Sequence, residues 1–232
     1  LHGMLKGNLN VHAAVKSYNT LVGCSMTILS MPSDVDVLLL ELGTNHPGEI
    51  RDLVSNFPIT HGVITEIVPA HIEGLGSLDG ILKAKMEMVE SRVLQFLSYN
   101  NDNSQLVTAI QEWAESLPVD RKVKKVCVGL SPSDISIREI RQRLSAEGAP
   151  SLSFFIDSQE REYFCEANIF GKQHARNIAY AFALAVELGV SPEVACEKVT
   201  TLASLSGRGK IYSLRGEGLL VDESYNANPG SV

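Results

Sequence analysis

Apolar and polar positions along the chain predict β-strands that alternate with α-helices. Residues 35–42 (VDVLLLEL), 61–68 (HGVITEIV) and 122–130 (KVKKVCVGL) are apolar or β-branched runs. Continuous runs of this kind are typical of strands that are buried on both faces of a parallel sheet. The pattern therefore favours an α/β fold with a mostly parallel sheet that is flanked by helices.

Helical patterns occur in four further segments. Ser77 can cap a helix whose apolar positions recur every three to four residues from Ile81 to Val93. We also predict helices over residues 137–147 and 175–188, with Gly189 closing the second of these and Pro192 starting another. Residues 151–157 and 162–167 predict a weaker pair of strands.

Glycines close to residue 207 mark a predicted domain boundary. They occur at both ends of residues 207–209 and 216–218, where they favour turns. Residues 219–223 (LLVDE) then predict the first strand of a new domain. We predict one domain over residues 1–206 and the start of a C-terminal, Rossmann-like domain over residues 207–232. The first ten residues contain neither a helix cap at their start nor an initiator Met, so we expect the sequence to begin inside a longer protein.

Composition narrows the class of protein. The chain has 232 residues, 44% of them hydrophobic, and a formal net charge of −7, which argues against a nucleic-acid surface. We find no run of the roughly 18 apolar residues that a transmembrane helix requires, so we expect a cytoplasmic protein without a membrane partner. The 4 cysteines are scattered without a C-x-x-C pair, which favours reduced thiols over a disulfide framework or a zinc site.

Polar side chains follow the first two predicted strands. Glu41, Asn45 and His46 come at the end of the first strand, and His71 lies three residues beyond the second. Ligands of open α/β sheets bind beyond the carboxyl ends of the strands, where a carboxylate and an imidazole could hold a divalent cation together. On spacing alone, however, a capped loop with a hydrogen-bonded histidine explains these residues better than a metal site.

Other candidate residues have ordinary explanations when each is taken alone. Lys85 on an amphipathic helix would be a solvated charge, and Asn177 at the start of a helix would pair locally with the backbone. Arg208 lies between two glycines with little apolar surface nearby, which favours an anion contact. Residues 74–80 are one residue out of step with a G-x-G-x-x-G fingerprint, and the phosphate loop G-x-x-x-x-G-K-[ST] is absent from the sequence.

Six segments of the chain, taken together, resemble one family. They lie in the family's order over almost the whole chain, and the family is the Mur ligases, within which they resemble the branch that adds a D-alanyl-D-alanine dipeptide. The segments are residues 17–27 (SYNTLVGCSMT), 41–50 (ELGTNHPGEI), 70–85 (AHIEGLGSLDGILKAK), 171–181 (GKQHARNIAYA), 207–208 (GR) and 222–229 (DESYNANP).

The resemblance implies an ATP-dependent amide ligase of peptidoglycan precursor synthesis with three domains, of which this chain is mainly the central ATP-binding one. The terminal carboxylate of UDP-N-acetylmuramoyl-tripeptide would be phosphorylated by ATP to an acyl phosphate, which the amine of D-alanyl-D-alanine then attacks. Bringing two anions together requires Mg²⁺ and positive groups at the transferring phosphoryl. We expect a monomer that binds these small molecules and no nucleic acid.

Site roles also follow from the resemblance, position by position. Glu41 and His71 resemble the magnesium ligands, and Lys85 matches a lysine that sister ligases carry as a carbamate, so we expect these three catalytic residues to converge on one cation. The nucleotide-side residues would be Asn177 near the base, Arg208 near the phosphates, Asp222 and Glu223, with Tyr225 and Asn226 assisting from the domain junction. Asn45 and Asn19 resemble residues of the active-site edge on the substrate side.

Several positions depart from the family pattern. Thr20 stands where a second asparagine is common, Glu66 replaces a usual asparagine before the metal histidine, and Gln173-His174 stands where His-Asn is frequent. The largest departure is the missing phosphate loop. We therefore expect that this chain alone neither binds ATP tightly nor turns over, and calorimetry that shows micromolar MgATP binding would contradict this.

Two other functions stay open at this point. A folylpolyglutamate-synthase-like ligase shares the fold and the acyl-phosphate chemistry, but it would carry a D-G-A-H-N-P-like motif at residues 223–229. A non-catalytic paralogue or binding protein would explain departures such as Glu66 and Gln173, although the three proposed metal-site residues are intact.

Overall fold

The computed structural model describes residues 1–69, 72–145, 148–214 and 218–225. The chain divides into two compact units. The N-terminal unit comprises His2 and Met4–Val126, and the C-terminal unit comprises Leu1, Gly3 and Cys127–Val232. None of the helices in the described ranges combines the length and apolar character that crossing a bilayer requires.

The N-terminal unit alternates short strands with helices. Strands β1 and β2 pair in parallel, and so do β3 and β4. A 3-10 helix, Glu87–Glu90, follows α5. In chain order the elements are α1 (His2–Leu5), β1 (Val11–Ala13), α2 (Leu21–Leu29), β2 (Val37–Leu39), α3 (Glu49–Asn56), β3 (His61–Ile64), α4 (Ile72–Leu75), α5 (Leu78–Met86), β4 (Phe96–Asn100) and α6 (Ser104–Glu115).

The core of this unit lies where α3, α5 and α6 cover β3 and β4. Ile81 of α5, Leu97 of β4 and Leu106 of α6 are each at most 1% exposed. Burying an aliphatic side chain of this size contributes about 1.5–3 kcal/mol, so these contacts fix the helices on the strands. The helix starts are set locally, since the Ser77 hydroxyl accepts from Gly80 N and the Asn103 side chain accepts from Leu106 N.

The C-terminal unit is built on antiparallel strands and two helices. β5 (Lys124–Gly129) runs across the division between the units and pairs in parallel with β6. β6, β7 and β8 are antiparallel neighbours, and β9 and β10 form a separate antiparallel pair. The remaining elements are β6 (Ile135–Leu144), β7 (Pro150–Ser158), β8 (Arg161–Ala167), α7 (His174–Glu187), α8 (Pro192–Val199), β9 (Lys210–Ser213) and β10 (Leu219–Asp222).

The predicted fold class is confirmed. The main sheet has the strand order β3-β4-β5-β6-β7-β8, its β3–β4 and β5–β6 pairs are parallel, and helices flank it. The strands predicted within residues 35–42, 61–68 and 122–130 are β2, β3 and β5, and the weaker predicted pair is β7 and β8. The predicted helices capped by Ser77, over residues 175–188 and after Ser191 are α5, α7 and α8.

Two predicted elements are wrong in whole or in part. Residues 137–147 were expected to be a helix, but Ile135–Leu144 is strand β6. The register of β6 shifts between Arg138 and Arg141, and Glu139 has a positive φ of 52°. An inserted residue of this kind is a β-bulge, which changes which residues face the core. The helix that Ser77 caps ends at Met86 rather than reaching Val93, because a 3-10 helix follows it.

Candidate active site

Glu41 lies two residues beyond β2, and its side chain is held by Asn19. Nδ2 of Asn19 donates a hydrogen bond to Oε1 of the exposed Glu41 carboxylate across 3.2 Å. The backbone of Gly43 donates to the Asn19 carbonyl oxygen across 2.9 Å. A Cβ on Gly43 would lie 2.6 Å from Cγ of Asn19, so this glycine leaves the space in which the Asn19 side chain reaches Glu41.

Asn45 belongs to a loop that is closed on the start of α3. The backbone nitrogens of Asn45 and His46 donate to Oε2 of Glu49 across 2.6 and 3.0 Å. These two backbone hydrogen bonds hold the pKa of the Glu49 carboxyl below its usual value. Gly74 of α4 lies against the carbonyl of Asn45, where a Cβ would be 3.1 Å from the carbonyl carbon. Helix α4 therefore contacts the loop after β2.

Helix α3 is anchored by the 3-10 helix that follows α5. Gly48, its N-cap residue, gives it no side-chain cap, and the backbone nitrogens of Gly48 and Arg51 donate instead to the two carboxylate oxygens of Glu87, across 2.7 and 3.0 Å. Glu87 is only 5% exposed. The Arg51 guanidinium makes a bidentate pair with Glu90, across 2.6 and 2.7 Å. These contacts fix the loop that carries Asn45 relative to α5.

Lys85 is the half-buried lysine of α5. Its Nζ donates to the backbone oxygen of Glu66 across 2.9 Å. Burial lowers the pKa of Lys85, and the Glu66 carboxylate acts in the opposite direction. Lys83, by contrast, is 76% exposed and pairs with Asp79 one helical turn away. Lys85 is therefore not the ordinary solvated lysine that its spacing alone would indicate.

The convergence of three residues on one cation stays a prediction. His71 lies outside the described residues, and so does Asn226. Within the part of the chain that the structure describes, no three His, Cys, Asp or Glu side chains form a group that could hold a metal ion. The carboxylate oxygens of Glu41 fit the preference of Mg²⁺ for oxygen ligands, whereas the Lys85 ammonium would fit only after conversion to an anion.

In the C-terminal unit, the turn at residues 207–209 is hydrogen-bonded to residues 222–225, which brings several predicted nucleotide-side residues together. The β9–β10 ladder continues into hydrogen bonds from Gly209 N to the Asp222 oxygen and from Tyr225 N to the Gly207 oxygen. The Asp222 carboxylate accepts from Gly207 N across 3.0 Å and from the Ser224 hydroxyl across 2.6 Å. Asp222 therefore shapes the turn that presents Arg208 and Tyr225.

Arg208 is exposed and stacks on Tyr225, with its guanidinium carbon 4.1 Å from the ring centroid. Such a stack holds the planar cation in one orientation while its edge stays available to an anion. Glu223 and Arg208 both act electrostatically on His174, and burial is the larger cause that lowers the pKa of this imidazole. The three side chains therefore belong to one cluster.

His174 is a member of this cluster that the sequence identified only as a departure from the family pattern and not as a site residue. It begins α7, and Asn177 follows three residues later on an exposed position of the same helix. Residues three apart on a helix are neighbours on its surface, so Asn177 shares the face of His174. That spacing from Asn177 was the signal in the sequence that could have identified His174.

Comparison with known proteins identifies the family. The model of the Mur ligase middle domain matches residues 1–185. The chain is 28% identical to the UDP-N-acetylmuramoyl-tripeptide--D-alanyl-D-alanine ligase of Bacillus subtilis (strain 168), with 100% of the chain and 47% of that protein covered. It is also 28% identical to the ligase of the same name from Escherichia coli (strain K12), with 92% of the chain and 45% of that protein covered.

Solved structures show the same architecture. A crystal structure of MurF from Acinetobacter baumannii superposes with a TM-score of 0.86 at 25% identity, over 99% of this chain and 48% of that one. The chain spans about half the length of these relatives. Because the family model covers most of the sequence, the chain belongs to the Mur ligase family through its middle domain.

Proposed function

We propose that the protein to which these residues belong is an ATP-dependent ligase that adds D-alanyl-D-alanine to UDP-N-acetylmuramoyl-tripeptide in the cytoplasm. A relative that matches the whole chain carries that name. The observation that carries the proposal is the Glu41 carboxylate, which lies beyond a parallel strand and is oriented by Asn19. This is the edge of an α/β sheet where ligands bind.

Each cluster has a proposed part in this reaction. Glu41 and His71, with Lys85 as a carbamate, would hold Mg²⁺, and Asn45 and Asn19 would border the substrate. The metal would neutralise charge on the transferring phosphoryl. The residues around the turn of the C-terminal unit would bind ATP. Asn177 would contact the base, and Arg208 would contact the phosphates. The residues that would lie around the nucleotide are Asp222, Glu223, Tyr225 and Asn226.

The domain boundary after residue 206 belongs to the same proposal. Residues 1–206 would be the central ATP-binding domain, and residues 207–232 would begin the C-terminal ligase domain. The stacked pair of Arg208 and Tyr225 would then act at the junction of these two domains. We also propose that the enzyme is a monomer.

The proposal is tested with the full-length protein. Release of inorganic phosphate from MgATP should require both the tripeptide and the dipeptide, and mass spectrometry should find their amide product. Glu41→Gln should lower kcat by roughly 100-fold because it removes a charged metal ligand. Glu112→Gln is the matched control, since Glu112 is an exposed carboxylate of α6, and it should leave kcat unchanged.

The alternatives give different results in the same assay. Phosphate release that requires a folate and glutamate instead would identify a folylpolyglutamate-synthase-like ligase. An absence of phosphate release with either pair of substrates would identify a non-catalytic paralogue and contradict the proposal.

A further inference from the structure

Two buried thiols of the C-terminal unit lie in direct contact. The sulfur atoms of Cys165 and Cys196 are 3.3 Å apart, although 31 residues separate them in the sequence. Both are free cysteines, with exposed fractions of 0% and 8%. The scattered cysteine pattern predicted reduced thiols and gave no sign of this pairing, which arises from the fold.

The pairing follows from the way α8 covers β8. β8 is an edge strand of the main sheet, and Tyr163, Cys165 and Ala167 alternate with exposed residues along it. Cys196 is one of the buried residues of α8, whose start is fixed by the Ser191 cap and by Pro192. Both sulfur atoms therefore belong to the layer between strand and helix.

Only one of the two thiols is accessible from outside. Cys196 lines an open cavity of about 350 Å³ beside β8 and α8, whereas Cys165 is not among the lining residues. Four carboxylates surround this cavity, namely Glu162, Glu166, Glu193 and Glu197. A reagent that enters the cavity would therefore reach Cys196 first, with Cys165 behind it.

The charges around the cavity determine which kind of oxidant reaches Cys196. Glu162 pairs with Arg138 and Glu193 pairs with Arg161, whereas Glu166 and Glu197 form no ion pair within the described residues. The net negative charge that these two carboxylates leave disfavours an anion such as glutathione disulfide more than a small neutral molecule such as hydrogen peroxide. The S–H of Cys165 donates to Cys196. This hydrogen bond lowers the pKa of Cys196 and raises that of Cys165, while burial and Glu193 act against the first of these effects. Cys196 is therefore the sulfur that attacks, and Cys165 the sulfur that resolves.

We propose that Cys165 and Cys196 form an oxidisable dithiol site that a small neutral peroxide converts into an intramolecular disulfide. The Cys196 thiolate attacks one peroxide oxygen, the O–O bond breaks, and hydroxide leaves to combine with the thiol proton as water. Cys165 then attacks the sulfur of the resulting sulfenic acid, and a second water leaves. Two thiols lose two electrons in total, and one hydrogen peroxide gains them.

The geometry requires a short movement. The sulfur separation must fall from 3.3 Å to about 2.05 Å when the bond forms. The disulfide would join α8 to β8. The chain that follows α8 pairs with Asn168 at Ala203 and then reaches Arg208. Oxidation would thus restrain the helix that precedes the proposed phosphate-binding turn, so this consequence, though not the disulfide itself, rests on the proposed function.

The test treats the purified, folded protein with hydrogen peroxide and then alkylates and digests it. Two of the 4 cysteines present in this chain should become unavailable to alkylation, with a linked peptide that contains Cys165 and Cys196 and that dithiothreitol separates. At equal concentration, glutathione disulfide should react more slowly than hydrogen peroxide by roughly tenfold or more. None of these measurements requires ligase activity, so they succeed or fail independently of the proposed function.

Variants separate the two sulfur atoms. Cys165→Ser should leave a sulfenic acid on Cys196 that dimedone traps, whereas Cys196→Ser should leave Cys165 unmodified. Cys127→Ser is the control, because the Cys127 sulfur accepts a hydrogen bond from Asp134 N across 3.4 Å and is not part of the Cys165–Cys196 pair. On oxidation, the Cys127→Ser protein should still lose the thiols of Cys165 and Cys196. Oxidation without the Cys165–Cys196 peptide, or unmodified Cys196 in the Cys165→Ser protein, would overturn the proposal.

Discussion

Nδ2 of Asn19 donates a hydrogen bond to Oε1 of Glu41 across 3.2 Å, although 22 residues separate them. This contact restricts the rotamer of the Glu41 side chain. It thereby fixes the direction of the second carboxylate oxygen. Hydrogen-bonded partners of metal-binding carboxylates orient them and tune their affinity. Asn19 is therefore expected to act on Mg²⁺ through Glu41, which gives it a role that its position in the sequence did not reveal.

Asn19→Ala should weaken the Mg²⁺ dependence of the full-length enzyme. We expect the Mg²⁺ concentration for half-maximal activity to rise by roughly tenfold, because partners of metal ligands typically contribute that much to affinity. Asn56→Ala is the matched control, since the Asn56 side chain donates to the Asp52 backbone oxygen on the exposed side of α3. An unchanged Mg²⁺ titration of Asn19→Ala would show that the Asn19–Glu41 contact has no part in metal binding.

Lys85 provides a second prediction through its charge. Lys85→Arg keeps a cation but cannot form a carbamate, so we expect kcat to fall by roughly 100-fold if the site requires an anion there. Lys83→Arg should retain full activity, because Lys83 is an exposed lysine that pairs with Asp79. Isotopically labelled bicarbonate should give a carbamate signal in the NMR spectrum of the parent protein. An active Lys85→Arg enzyme would contradict the carbamate.

Strand β6 shows where the sequence was and was not informative. The pattern identified β3 and α5 because their buried positions recur with an undisturbed period, and β5 and α7 because they are rich in apolar residues without interruption by Gly or Pro before their ends. In β6 the buried residues are Ile135 and Ile137, but after the bulge the half-buried ones are Ile140 and Gln142. The three-residue step from Ile137 to Ile140 has a helical spacing, so the pairing with β7 decided the structure against the local pattern.

The candidate site was predictable to a different degree. Motif resemblance named Glu41, Lys85 and Arg208, yet neither the Asn19–Glu41 hydrogen bond nor the contact of Lys85 with Glu66 could be derived from spacing. Such contacts depend on loop geometry that brings distant residues together. The Cys165–Cys196 pair escaped prediction because it depends on how α8 packs on β8, which spacing in the sequence does not show.

His174 predicts a pH dependence of stability. Its folded pKa lies below the ordinary value of 6.5, so the unfolded chain binds a proton at a pH where the folded chain does not. The contribution of His174 to the free energy of unfolding should be fully present above pH 6.5 and should decrease as the pH falls below 6.5. The decrease should level off once the folded imidazole is also protonated. His174→Gln should lack this part of the pH profile of Tm. An NMR titration that places the His174 pKa at or above 6.5 would contradict the prediction.

Glu87 predicts a large effect on stability from a single carboxylate. It is 5% exposed and accepts from the backbone nitrogens of Gly48 and Arg51 at the start of α3. Glu87→Ala leaves both donors without this acceptor, so we expect the free energy of unfolding to fall by about 3 kcal/mol. Urea unfolding followed by circular dichroism measures this loss.

The matched control for Glu87 is the neighbouring carboxylate of the same 3-10 helix. Glu90 pairs with Arg51, but its side chain is 43% exposed and that of Arg51 is 53% exposed. Exposed ion pairs contribute less than about 1 kcal/mol, so Glu90→Ala should lower the free energy of unfolding by no more than that. Equal losses from Glu87→Ala and Glu90→Ala would mean that their attraction to Arg51, rather than the capping of α3, is what stabilises this part of the N-terminal unit.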